Sequence, residues 1–175
     1  MDDNALQKVA DRVAIEEVLT RYCRGIDRCD PDELARAFAH DAQIDYGNGP
    51  KPVGETIEGL MAGLGAMRLT QHNIGNVMCE VEGNEARAET YCVALHILPG
   101  GGEEPDTELV VGGRYLDRLV KRDGDWRIAN RIYIMDWNRQ QAATMQDRGG
   151  LFDTLGRRGA RAPADPSYAW WAGES

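Results

Sequence analysis

Residues Glu108 to Trp137 read ELVVGGRYLDRLVKRDGDWRIANRIYIMDW, and this run decides the fold. Apolar and polar residues alternate through 108–121, then again through 125–137, and Asp123-Gly124-Asp125 lies between them. Alternation with period two is the pattern of strands with one face buried, and an Asp-Gly pair between two such runs is a hairpin turn. The run predicts two long antiparallel strands. Upstream, residues 70–82 and 85–98 alternate in the same way around a second turn, Glu82-Gly83-Asn84-Glu85. In 85–98, Thr90, Cys92, Ala94 and His96 share one face, and Tyr91, Val93, Leu95 and Ile97 share the other. The loop Pro99 to Pro105, rich in glycine, joins the two hairpins into a meander.

Before residue 70 the period changes. Val9, Val13, Ile15, Val18, Leu19, Tyr22 and Ile26 recur at steps of three and four, which predicts a helix over 4–28 with these residues as its apolar face. Asp30-Pro31-Asp32-Glu33 combines a capping acid, a proline at the first helical position and a capping-box acid, so a second helix is expected over 31–39. Residues 42–46 read as a short strand and Gly47 to Pro50 as a turn. A third helix follows Gly54. Three helices followed by a meander make an α+β chain, with helices packed on one face of a curved sheet.

The sequence has 175 residues, which suits one domain. Residues 1–138 carry the periodic pattern. Residues 139–175 are a C-terminal extension of different character, with a short helix expected at 139–147. Tyr168, Trp170 and Trp171 near its end are costly to leave in water, so the extension is expected to dock on a neighbouring subunit or over a pocket mouth. The net charge of −9 argues against nucleic acid and anionic membrane as partners. The acidic start, Met1-Asp2-Asp3-Asn4, has neither the basic nor the apolar part of a signal peptide, and a cytoplasmic protein is expected. Cys23, Cys29, Cys79 and Cys92 show no metal-binding spacing and read as small buried groups. No metal site is expected.

The string from Gly113 through Leu119, Asp123-Gly124-Asp125-Trp126 and Ile128 to Trp137 resembles the last hairpin of the SnoaL-like branch of the nuclear-transport-factor-2-like superfamily. That branch includes scytalone dehydratase, a hexachlorocyclohexane dehydrochlorinase and polyketide cyclases. The resemblance covers roughly residues 5–138. It implies a cone: a strongly bent, antiparallel or mixed sheet wrapped around three N-terminal helices, with a pocket at the wide end.

Two further matches carry the chemistry. Gly25-Ile26-Asp27 resembles the segment holding the dehydrochlorinase's dyad aspartate. His72, followed by Gly75-Asn76, resembles its dyad histidine. Asp30 is the better helix cap, which leaves Asp27 without an evident structural duty. The resemblance implies that His72 abstracts a proton while Asp27 orients the ring, with no cofactor required. It implies elimination of water, halide or formaldehyde from a small hydrophobic, cyclic or aromatic substrate. Tyr22, Ile44, Tyr46 and His96 are candidate pocket residues. Arg131 and Asn130 compete for a further position, because the register of the last strand is ambiguous by one residue. The tryptophan and the lysine-like pocket position of the dehydrochlorinase are Ile44 and Tyr22 here, so a different pocket lining is expected. An isomerase or cyclase of the same fold is the alternative within enzymes. The other alternative is a non-catalytic binding or assembly subunit, such as the β subunit of a ring-hydroxylating dioxygenase. A homo-oligomer is expected, a trimer before a dimer.

Overall fold

Helix α1, Asp3–Arg28, begins at a side-chain cap, Asp2 accepting from the Ala5 amide at 2.7 Å. The computed structural model describes residues 2–174. Ile15, Leu19, Tyr22 and Ile26 form the buried stripe of α1, each at most 2% exposed. Full burial of such side chains contributes about 1.5–3 kcal/mol apiece. The apolar face does not run the whole length, because Val9 and Val13 are each 53% exposed. The buried side at this turn is polar instead: Asp11, 5% exposed, accepts from Trp126 Nε1 at 2.9 Å and from Lys121 Nζ at 2.8 Å.

Cys29 takes a left-handed conformation and ends α1. Asp30 then accepts from the Asp32 and Glu33 amides at 3.0 Å and starts α2, Pro31–Ala37. Helix α2 stops two residues earlier than its capping pattern suggested. Phe38 and Ala39 are already in β1, Phe38–Asp45, buried at 1% and 2%. The two-residue strand β2, Lys51–Pro52, pairs with β1 and leads into α3, Val53–Gly65.

The remaining strands are β3, Leu69–Glu82; β4, Glu85–Leu98; β5, Thr107–Arg122; and β6, Asp125–Ala142. The sheet order is β2-β1-β6-β5-β4-β3. All neighbours are antiparallel except β1 and β6, so the sheet is mixed. The helix expected at 139–147 does not form. Residues 139–142 continue β6, where Arg139 pairs with Val110 and Gln141 with Glu108. A single 3₁₀ turn, Gly150–Thr154, and a short α4, Pro166–Trp171, follow.

Two bulges set which side chains enter the cone. In β3, Ile74 faces Cys92 while Val77 faces Thr90, so Gly75-Asn76 adds one residue against β4. A bulge of this kind shifts the alternation by one. Thr70, His72 and Ile74 point inward before it, and Val77, Cys79 and Val81 after it. In β6, Ile128 pairs with Leu119 and Asn130 with Arg118, so one residue is again inserted. Trp126 and Ile128 face the core before that bulge; Arg131 and Tyr133 face it afterwards.

Among the described residues no helix is long and apolar enough to cross a membrane. The extension packs against its own chain at the α1–α2 elbow. Arg28 bonds Asp165 at 2.8 Å, Tyr168 donates to Asp30 at 2.5 Å, and the Arg24 guanidinium sits 4.6 Å from the Tyr168 ring centre. Trp170 and Trp171 remain 61% and 70% exposed, so in this chain alone they cover no pocket.

Candidate active site

The last turn of α1 and the start of β3 meet inside the cone. Asp27 stands on that turn, and its Oδ2 accepts from the His72 backbone amide at 2.8 Å. Its Oδ1 lies 2.7 Å from His72 Nδ1. One carboxylate thus holds both the backbone and the ring of the same residue. Nδ1 is the donor in this pair, because an ionised carboxylate only accepts. In the neutral ring Nε2 then carries the lone pair. The His72 and Asp27 side chains are 8% and 11% exposed.

The ring of His72 borders a cavity of about 200 Å³ inside the cone mouth. Its walls are apolar, from Ile26, Leu60, Leu64, Ala94 and Val111 among others. Polar groups enter at two places. On one side stand His72 and His96, with ring centres 5.4 Å apart and planes nearly perpendicular. On the other, the Tyr22 and Tyr46 hydroxyls share a hydrogen bond of 2.7 Å, with Tyr115 and Tyr133 beside them. Few polar groups set in an apolar concavity are the usual composition of a small-molecule site.

Burial, and then the neighbouring His72, hold His96 below the ordinary histidine range. Its Nδ1 is buried without a hydrogen-bond partner. Burial pushes the Tyr22 and Tyr115 hydroxyls well above the usual tyrosine range and Tyr46 upward as well, so all three are neutral donors at physiological pH. Burial likewise raises Cys23 to about 12 and Cys92 above the ordinary thiol value, which leaves both as inert packing groups.

The structure separates the sequence candidates. His72, Asp27, Tyr22, Tyr46 and His96 converge on the cone interior. Asn130 does not: its amide donates to the Gln43 carbonyl at 3.3 Å on the outer face of the sheet. The β6 bulge is the reason, since it hands the inward position to Arg131. Arg131 in turn does not reach the cavity. It is fully buried beneath it, bonded twice to Asp117 at 2.7 Å. Its guanidinium packs in the corner made by the Tyr22 and Tyr115 rings, 3.9 and 4.1 Å from their centres. Burial opposes the Arg131 charge, but Asp117 more than offsets it and the group stays ionised. Ile44 pairs with Arg131 in the parallel ladder and is 1% exposed, a core residue rather than a wall. Tyr115 and Tyr133 were missed. Unbroken alternation from Trp126 and Ile128 points Tyr133 outward, and the β6 bulge brings it in; nothing in the run marks Tyr115 as a cavity residue. Among the described residues no three His, Cys, Asp or Glu side chains gather as a cation-binding set.

This geometry has relatives. A SnoaL-like domain model matches residues 7–132, most of the chain. The chain belongs to the SnoaL-like family. An uncharacterized protein of Mycobacterium tuberculosis, Rv2910c, is 29% identical over 135 residues, covering 73% of this chain and 87% of that one. A solved hexachlorocyclohexane dehydrochlorinase, LinA type 2, superposes with a TM-score of 0.72 at 22% identity, covering 84% of this chain and 99% of the other. A candidate scytalone dehydratase from Novosphingobium aromaticivorans gives 0.66 at 26% identity, covering 82% and 97%. This SnoaL-like chain thus shares the curved-sheet fold, α+β with a mixed six-stranded sheet, with proteins named for elimination chemistry.

Proposed function

We propose that this protein is a cofactor-independent lyase that removes a proton and a leaving group from a small, hydrophobic, cyclic molecule. The observation that carries the reading is the 2.7 Å contact between Asp27 Oδ1 and His72 Nδ1 at the edge of an apolar cavity. His72 Nε2 takes a proton from carbon or hydroxyl. Asp27 holds the tautomer that leaves Nε2 basic and then stabilises the imidazolium. From a carbon-bound proton, the C–H electron pair forms the new C=C bond as halide departs, or as the hydroxyl departs as water by taking the proton back from the imidazolium. From a hydroxyl proton, the oxygen's pair forms the C=O of departing formaldehyde, and the carbon left by the broken C–C bond keeps that bond's pair and is protonated by the imidazolium. His96 beside the base and the Tyr22–Tyr46 hydroxyl pair across the cavity, all neutral, supply hydrogen bonds to the leaving group or to a developing oxyanion. A cavity of about 200 Å³ suits one ring better than a fused polycycle.

The reading is tested with a panel of hydroxylated and halogenated monocyclic compounds, followed in heavy water. Alkene formation with loss of water or halide, or release of formaldehyde, supports it, provided that His72→Ala abolishes the reaction. Retained turnover in His72→Ala overturns it. Deuterium incorporation and double-bond movement without loss of a leaving group would assign the site to an isomerase instead.

A further inference from the structure

The extension sends one side chain into the site's foundation. Arg161 lies beyond the residues matched by the family model. Its Nη1 donates to the backbone carbonyl of Asp27 at 2.5 Å and to Thr70 Oγ1 at 3.0 Å. Its Nη2 donates to the Leu64 and Met67 carbonyls at 3.1 and 3.3 Å. One guanidinium thus ties together the end of α1, the end of α3 and the start of β3.

These are the segments that carry the Asp27–His72 pair. Asp27 is bonded through its own carbonyl, and Thr70 stands two residues before His72 on the same inward face of β3. The last carbonyls of a helix have no partner within it and favour a cation beside them. Arginine meets several of them at once because its planar fork presents five donors in fixed directions. A lysine has the charge without the fork.

We propose that Arg161 is the positioning residue of the Asp27–His72 pair, and that the pair is fully ordered only while this guanidinium bridges the three segments. This rests on the role assigned above to that pair. The extension has other anchors that do not touch the site. Arg28 bonds Asp165 and the Ala160 carbonyl, the Ala162 amide donates to the Arg28 carbonyl, and Tyr168 donates to Asp30. Loss of Arg161 therefore leaves the extension held while it frees the Asp27 carbonyl. Loss of the Tyr168 hydroxyl loosens the extension and leaves the clamp.

The test compares Arg161→Ala, Arg161→Lys and Tyr168→Phe in the full chain by NMR of the His72 ring. The readout is the Nδ1 proton shared with Asp27, which needs no substrate. In the wild type and in Tyr168→Phe this proton exchanges slowly with water. In Arg161→Ala its exchange is faster by about tenfold or more, as expected when a local opening becomes easier. Arg161→Lys restores it only in part, and millimolar guanidinium restores it in Arg161→Ala where ammonium does not. An Nδ1 proton in Arg161→Ala as protected as in the wild type overturns the proposal. If Arg161→Ala does not fold, Arg161→Lys decides alone: wild-type protection there overturns the proposal as well. Absence of turnover in the wild type, with the NMR differences intact, would refute the lyase reading and leave the clamp standing.

Discussion

Asp27 holds His72 by two different groups, the backbone amide at 2.8 Å and ring Nδ1 at 2.7 Å. The double contact removes the freedom of the ring to present either nitrogen to the cavity. Replacing the carboxylate by an amide breaks this assignment, because an amide offers one acceptor and one donor where His72 offers two donors. In Asp27→Asn one of the two contacts becomes donor against donor, unless the ring changes tautomer and loses the basic Nε2. Turnover is expected to fall by about 10²–10⁴, the usual contribution of an oriented base. The check is kcat/KM on whichever panel compound reacts, together with the ¹⁵N shifts of the His72 ring, which report the tautomer directly.

The buried Arg131–Asp117 pair makes a second prediction. Both side chains are wholly excluded from water, and the guanidinium is enclosed by the Tyr22 and Tyr115 rings. Removing one charge leaves the other buried without a counter-ion. Asp117→Ala is expected to lower unfolding free energy by about 3–5 kcal/mol, whereas replacing both residues by apolar ones of similar volume costs far less. Urea unfolding of the two variants measures the difference. A loss below about 1 kcal/mol in Asp117→Ala would mean that the pair contributes like an exposed one.

The two hairpins could be read because their turns carry Asp-Gly and Gly-Asn and their strands alternate over many residues. The helix pair could be read from Asp30-Pro31. The bulges could not. From Trp126 and Ile128, unbroken alternation points Asn130 inward, and the residue inserted in β6 reverses that. The strand β1 was read four residues short because its partner, β6, lies far away in sequence and runs parallel to it. The Asp27–His72 contact spans 45 positions and has no local signature; only the resemblance of the two segments to a known site brought them together. The aromatic residues near its end marked the extension as one that docks, but not the place where it docks. Its contacts include the Tyr168 hydroxyl on Asp30, the Arg28–Asp165 pair and Arg161 on backbone carbonyls, and an arginine in a Gly-Ala-Pro segment looks the same whether it is solvated or clamped.

His96 gives stability a pH dependence whose sign follows from its shift. Its folded-state value lies below the ordinary one, chiefly because burial disfavours the charge. As pH falls below about 6.5 the unfolded chain binds a proton that the folded chain refuses. Stability therefore declines on acidification, starting near that pH, and the decline ends only when the folded-state value is reached. His96→Asn removes this contribution. Its urea midpoint is expected to vary less than that of the wild type between about pH 6.5 and 5, although other groups still titrate below. Parallel curves for the two proteins in that interval would contradict the assignment.

Gly25 sits where α2 turns back against α1, two residues before Asp27. A Cβ built on it would stand 2.9 Å from the Leu34 Cγ and Cδ2 atoms and 3.0 Å from the Leu34 backbone nitrogen. The two kinds of neighbour respond differently. The leucine side chain is fully buried and has little room to turn, while the backbone nitrogen belongs to the first turns of α2 and moves only with that helix. Gly25→Ala is therefore expected to destabilise by about 1–3 kcal/mol through overpacking, despite the better helix propensity of alanine. Combining it with Leu34→Ala relieves the side-chain contact but not the backbone one, and it opens a void of its own. The double variant should accordingly be less destabilised than the sum of the singles, yet still less stable than Leu34→Ala alone. A thermodynamic cycle from urea unfolding measures both inequalities. Full relief in the double variant would locate the whole clash in the leucine side chain and leave α2 free to keep its distance from the turn that carries Asp27.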